Sequence, residues 1–165
     1  MCQLSGKLTE QKYQGSYEMI ARFLDQYSSV SMLDKVNYWQ QVVFSWIIGN
    51  TDMHLKNFSL YSIREGHYVL CPTYDQVSTK IVMPEDTEEV ALSLNGFKKS
   101  LLVYDFREAM FSTGLSEVVA NRILSGFAKF RDKWMVCIDN SFISDNQKEQ
   151  YKKLIDHRLE TLAKE

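Results

Sequence analysis

Apolar positions recur at helical spacing through Tyr17, Ile20, Ala21, Leu24 and Tyr27, which predicts a helix with one buried face. Ser16 is placed to cap it, and Glu18 puts an acid in its first turn. The pattern fades at "SSVS". A second stripe of Val36, Trp39, Val43, Trp46 and Ile47 then predicts a helix from about Leu33 to Ile48. Its last turn is apolar almost all round, which marks it as central. Gly49 follows as its terminator, the usual place for glycine. Trp39 and Trp46 share this stripe and read as core.

Period-two alternation replaces the helical period in "FSLYSI" and, after the turn "REGH", in "HYVLCP". Together they predict a hairpin. "EVALSLNGFKKSLLV" predicts a second one, because Val90, Leu92 and Leu94 alternate and Asn95-Gly96 is a strong turn signal. Helical patterns return in "YDFREAMFSTG", closed by Gly114. A long helix is expected after Ser116, carrying Val119, Ile123, Phe127, Phe130 and Trp134 on one face. A last helix is expected from Asp145 or Asn146, with Tyr151, Leu154, Ile155, Leu159 and Leu162 inward. Residues 1–15 show no period and read as a loop leading into the fold. The expected fold class is mainly α with one or two small β-hairpins.

Composition changes this picture little. At 165 residues, 45% hydrophobic and 24% charged, the chain reads as one globular domain with a sizeable core. The formal net charge of −2 disfavours a direct nucleic-acid surface, and Lys98–Lys99 reads as a solvated turn. Cys2, Cys71 and Cys137 fit no zinc spacing and read as thiols of a reducing compartment. The start of the chain lacks a signal-peptide pattern, and no apolar run approaches a membrane span. The expected location is cytoplasmic, with no membrane partner.

The polar cluster between the central helix and the first hairpin changes the picture most. Asn50, Asp52, His54, Lys56 and Asn57 fall within eight positions. Such clusters commonly only cap helices and make turns. Here the hairpin folds back, and "PTYDQVS" places Asp75 beyond it. A hairpin of that length can return Asp75 to the Asp52–Asn57 loop. Two carboxylates and an amide oxygen are hard donors suited to magnesium, which completes its shell with water and phosphate oxygens. Protein kinases arrange an Asp, an Asn four residues on and a second Asp in this order. Lys56 reads either as a neutraliser of phosphate charge or as an exposed loop lysine. Tyr74 reads either as packing under a nucleotide or as ordinary loop packing.

"IGNTDMHLKNFSL" followed by "CPTYDQVST" resembles the C-terminal lobe of HipA-type serine/threonine kinases, toxins of bacterial toxin–antitoxin modules. Their loop runs G-x-T-D-x-H-x-K-N-x-S. The likeness extends through "MCQLSGKLTEQKYQGSYE" and "ALSLNGFKKSL", so residues 1–165 are expected to form one such lobe. The resemblance implies that Asp52 is the catalytic base or orients the hydroxyl. It implies that Asn57 and Asp75 hold Mg2+ for ATP. His54 and Lys56 would belong to the catalytic loop, His54 in a structural role and Lys56 near the phosphate, while Asn50 would shape the loop. The implied partners are a protein substrate, in some members an aminoacyl-tRNA synthetase, and a DNA-binding antitoxin.

The family also uses an N-terminal lobe with a phosphate-covering loop. The seven glycines here form no G-x-G-x-x-G. The chain is therefore expected to lack that lobe, and to be inactive without it. The alternative expectation is a binding module that keeps the lobe's fold without its catalysis and engages an antitoxin or a partner kinase.

Overall fold

A computed structural model describes residues 1–164. Helix α1 spans Tyr17–Tyr27 and α2 spans Ser31–Ile47. The hairpin is β1, Leu60–Arg64, with β2, His67–Leu70. A short α3 at Thr79–Val82 follows, then α4 at Val103–Ser112 and α5 at Glu117–Ser125. Helices α6, Arg131–Asp139, and α7, Asp145–Ala163, complete the lobe.

Helix α2 is the hub. Tyr38, Trp39, Val42, Val43, Trp46 and Ile47 are buried, and α1, α5, α7 and β2 pack around it. The predicted cap of α1 forms: Ser16 Oγ accepts from the Met19 amide at 3.2 Å. Trp39 Nε1 donates to Thr113 Oγ1 at 3.1 Å, so this buried indole is satisfied. Lys35 is buried as well, held by the Thr113 carbonyl at 2.9 Å and Asp25 at 2.8 Å.

The hairpin pairs Leu60 with Leu70 and Tyr61 with Val69, with an irregularity between Ser62 and Arg64. The second predicted hairpin shrinks to a turn. Asn95 and Gly96 both have positive φ, 50° and 84°, and close a single bridge between Leu94 and Phe97. The reason lies in competing partners. Ser93 bridges Ser16 in parallel, and Glu18 accepts the Asn95 amide at 2.6 Å, so the backbone before the turn is already engaged.

The long helix expected after Ser116 is also divided. Helix α5 ends at Ser125, a 3-10 turn covers Ala128–Phe130, and α6 starts at Arg131. This change of axis lets Phe127 and Trp134 both reach Phe44 of α2, at ring separations of 6.3 and 5.8 Å. The acidic run 84–89 is anchored at two points. Asp86 accepts from Thr51 Oγ1 at 2.9 Å, and Glu89 is bound by Arg158 and by Trp46 Nε1.

Candidate active site

The C-terminus of α2 builds the first half of the site. The Gly49 amide bonds to the Trp46 carbonyl at 3.0 Å, and the Asn50 amide reaches back to Ser45 at 2.9 Å. This pair of bonds needs a left-handed residue after the helix, and Gly49 supplies it at φ 73°. A side chain at Gly49 would also meet Leu154 at 2.6 Å. The reversal sends Asn50 back under the loop, where its side chain is 2% exposed.

Asn50 then works in two directions. Its Oδ1 accepts the Asp52 amide at 3.2 Å, and its Nδ2 donates to the Asp75 carbonyl at 2.9 Å. Asn57 closes the loop in the same manner. Its Oδ1 accepts the His54 amide at 3.2 Å, and its Nδ2 donates to the Asp75 carboxylate. The His54 amide fixes which end of the Asn57 amide points inward, because only the oxygen can accept there.

The Asp52 side chain is about half exposed. Tyr13 donates to its Oδ1 at 2.7 Å, and His54 Nε2 lies 4.0 Å from its Oδ2. The Tyr13 phenol is held protonated, its pKa pushed up chiefly by this hydrogen bond. Asp52 and Tyr13 line a cleft of about 580 Å³ whose other walls include Thr51, Thr79, Asp86 and Lys98. Burial lowers the His54 pKa, against the pull of the Asp52 charge, so the imidazole is neutral at physiological pH. Its Nδ1 is buried without a partner.

The hairpin thus returns Asp75 to Asn57, as the spacing anticipates. Among the described residues no three His, Cys, Asp or Glu side chains converge closely enough to hold a metal ion. Asn57 and Asp75 meet directly, and Asp52 lines the adjoining cleft. Asp75 supplies one of the one or two carboxylates that magnesium usually takes, and Asn57 faces it with Nδ2 while its Oδ1 accepts the His54 amide. Asp75 Oδ1 has no hydrogen-bond partner among the described residues and is open to a cation.

Asp75 has φ 57°, in the left-handed region that Asp tolerates better than most residues. The Tyr74 hydroxyl donates to the Lys56 carbonyl at 2.9 Å and meets Ser59 Oγ at 2.9 Å. Tyr74 therefore ties the two loops together. Lys56 is exposed and makes no ion pair among the described residues. Lys98, expected in a solvated turn, instead pairs with Glu88 at 3.3 Å on the cleft wall.

Sequence reading missed Tyr13 and the Thr51–Thr79–Asp86 chain. Tyr13 lies in an aperiodic stretch 39 positions before Asp52, so no spacing rule links them. Thr79 Oγ1 accepts the Thr51 amide at 2.7 Å, a contact made by a short helix that no pattern announced.

The HipA-like C-terminal domain family matches residues 1–134. A Haemophilus influenzae protein named "Putative kinase" is 29% identical over 115 residues, 70% of this chain. "Putative kinase Y4dM" of Sinorhizobium fredii is 39% identical over 98 residues, 59% of this chain. The chain spans only 32% and 23% of those two relatives. A solved HipA chain, from a complex of the Shewanella oneidensis toxin–antitoxin proteins HipA and HipB with operator DNA, superposes with a TM-score of 0.82. That match has 19% identity over 96% of this chain and 42% of the HipA chain. The helical lobe with its small hairpin thus has the fold of the matched part of the HipA chain. The chain belongs to the HipA-like C-terminal domain family. Among the described residues no helix is long and apolar enough to cross a membrane.

Proposed function

We propose that residues 1–165 form the C-terminal lobe of a HipA-like serine/threonine kinase and carry its phosphoryl-transfer loops. The observation that carries this reading is the Asn57–Asp75 contact, made by two residues 18 positions apart on either side of a hairpin. Asn57 and Asp75 would hold Mg2+. Mg-ATP, when bound, supplies the phosphoryl group and neutralises charge on it. Asp52 orients a substrate hydroxyl and takes its proton on the carboxylate that faces the cleft. Neutral His54 shapes the loop without competing for that proton, and Lys56 is free to approach phosphate oxygens. Positioning and charge placement are most of what phosphoryl transfer asks of a protein.

On this reading, catalysis also needs an ATP-covering N-terminal lobe outside this sequence. A protein substrate and an antitoxin are the proposed partners, the latter by likeness to HipA in its complex with HipB. The second reading is a lobe that keeps partner binding without catalysis.

The test is a thermal-shift titration of the chain with Mg-ATP, beside Asp75→Asn. Ligand at about 100 times its dissociation constant stabilises by roughly 2.7 kcal/mol. That moves the melting temperature by on the order of 5 °C. A magnesium-dependent shift lost in Asp75→Asn supports the catalytic lobe. No shift in either protein means that nucleotide binding depends on the N-terminal lobe, and that this chain by itself is a folded kinase fragment or a binding module.

A further inference from the structure

A second groove of the lobe shares no lining residue with the Asp52 cleft. It runs between the β1–β2 hairpin, the middle of α2 and the α5–α6 junction, and holds about 740 Å³. That is the size of a site for a drug-sized ligand or a short peptide. Its floor is apolar: Phe44 and Phe127 stack at 6.3 Å, beside buried Ile123. Tyr61 and Phe130 stand on its walls with 43% and 38% of their surface exposed.

Charge on the groove is one-sided. Arg122 and Lys129 line it, and no carboxylate does, in a chain whose net charge is −2. Nearby cations are matched: Arg131 pairs with Asp156 at 2.7 Å and Lys152 with Asp139 at 2.5 Å. Arg122 forms no ion pair or hydrogen bond among the described residues. Lys129 stands only over the Phe130 ring, at 5.0 Å. Two unmatched cations beside exposed aromatic faces form a site awaiting an anion with an apolar neighbour.

We propose that this groove docks an acidic peptide segment of a partner protein, one that carries an aromatic or large apolar side chain. The apolar side chain enters between Phe44, Phe127 and Tyr61, and its flanking carboxylates meet Arg122 and Lys129. Side-chain amides of Asn37, Gln40 and Gln41 lie along α2 within reach of the peptide backbone. Nucleic acid fits less well, because its affinity is built from many phosphate contacts and this surface offers two cations. The groove rim, Cys71–Thr73, leads directly into Tyr74 and Asp75, so a docked segment lies beside the candidate site. The proposal stands whether or not the lobe transfers phosphoryl groups.

The experiment is selection of a random displayed peptide library on the full chain, followed by binding of the enriched synthetic peptides to wild type and to Arg122→Glu/Lys129→Glu. Both side chains are exposed, so the double variant is expected to keep the wild-type melting temperature. Enriched peptides should combine Asp or Glu with an aromatic residue. They should lose about tenfold or more in affinity on the double reversal, and weaken as salt rises. Amide shifts on binding should centre on Cys71, Arg122 and Lys129. Should the double variant unfold, Arg122→Gln/Lys129→Gln and the salt dependence carry the same test. Failure to enrich any peptide, enrichment of basic or uncharged ones, or affinity unchanged by charge removal would overturn the proposal. So would tighter binding of a short single-stranded DNA than of every selected peptide.

Discussion

The two halves of the candidate site are held by opposite means. The first, residues 50–57, is buried: Asn50, Met53, His54, Leu55 and Asn57 are each at most 7% exposed. It hangs from the end of α2 and is pinned by Tyr17, which donates to the Met53 carbonyl at 3.1 Å. The Lys12 carbonyl accepts the Leu55 amide at 3.1 Å. In the second half, residues 72–77, five of the six residues are exposed. Its fixings are lent by the first half or by α2: Asn50 to the Asp75 carbonyl, Asn57 to its carboxylate, Ser45 to Gln76, and the Lys56 carbonyl to Tyr74. A rigid platform thus sets the position of a segment that has little core of its own. Constellations are more sharply placed on rigid elements than on free loops, and here one loop serves as that element for the other.

The largest expected effect lies beyond the second segment, where Glu89 meets Arg158. The Arg158 guanidinium also covers the Trp46 ring at 4.2 Å. Arg158→Ala leaves a half-buried carboxylate without its partner and should cost about 3 kcal/mol in urea unfolding. Burial alone would raise the Glu89 pKa, but the Arg158 and Trp46 donors outweigh it and hold the carboxyl below its usual range. The sign follows: the pair's contribution is fully present above pH 4.5, the ordinary value, and is lost as pH falls through the lowered folded value. Unfolding measured at a series of pH values should show this loss in wild type and not in Arg158→Ala.

Asn57→Ala removes the link between the halves. The buried His54 amide loses its acceptor, at about 2 kcal/mol. Amide exchange should rise more across 72–77 than across 50–56, because the platform keeps its other anchors. Uniform exchange across both segments would erase the proposed difference.

Asp75→Val tests backbone rather than contact. A β-branched residue at φ 57° should cost about 1.5 kcal/mol. Asp75→Asn, which tolerates the same φ and keeps an acceptor, should stay within about 0.5 kcal/mol of wild type. Equal losses in the two variants would show that the contact, not the conformation, limits this position.

Tyr13→Phe should be the mildest change, about 0.5 kcal/mol for one exposed hydrogen bond. Its signature is specific. Ultraviolet titration of the phenols should lose one with a raised pKa, and Asp52→Asn should return that phenol toward its ordinary value.

Much of this molecule was legible from order along the chain. Helices α1 and α2, the first hairpin and the glycine that ends α2 follow from periods and turn chemistry acting over a few residues. The pairing of Asn57 with Asp75 was legible too, because a hairpin must return the chain to its start. The hydrogen bond that holds Asp52 was not. It depends on Tyr13, which reaches Asp52 from a segment without periodicity.

The sequence by itself determined where the apolar stripes run, where α2 must stop and which polar residues cluster after it, since those are short-range consequences of side-chain spacing and backbone freedom. Only the tertiary structure decided the rest. It left Asn95-Gly96 as a bare turn, because Ser16 and Glu18 compete for the preceding backbone. It divided the helix after Ser125, so that Phe127 and Trp134 could both pack on Phe44. It anchored Asp86 and Glu89, and it left Arg122 and Lys129 facing an open groove. Each of these outcomes is a competition between partners far apart in the chain, and no local pattern records which partner arrives.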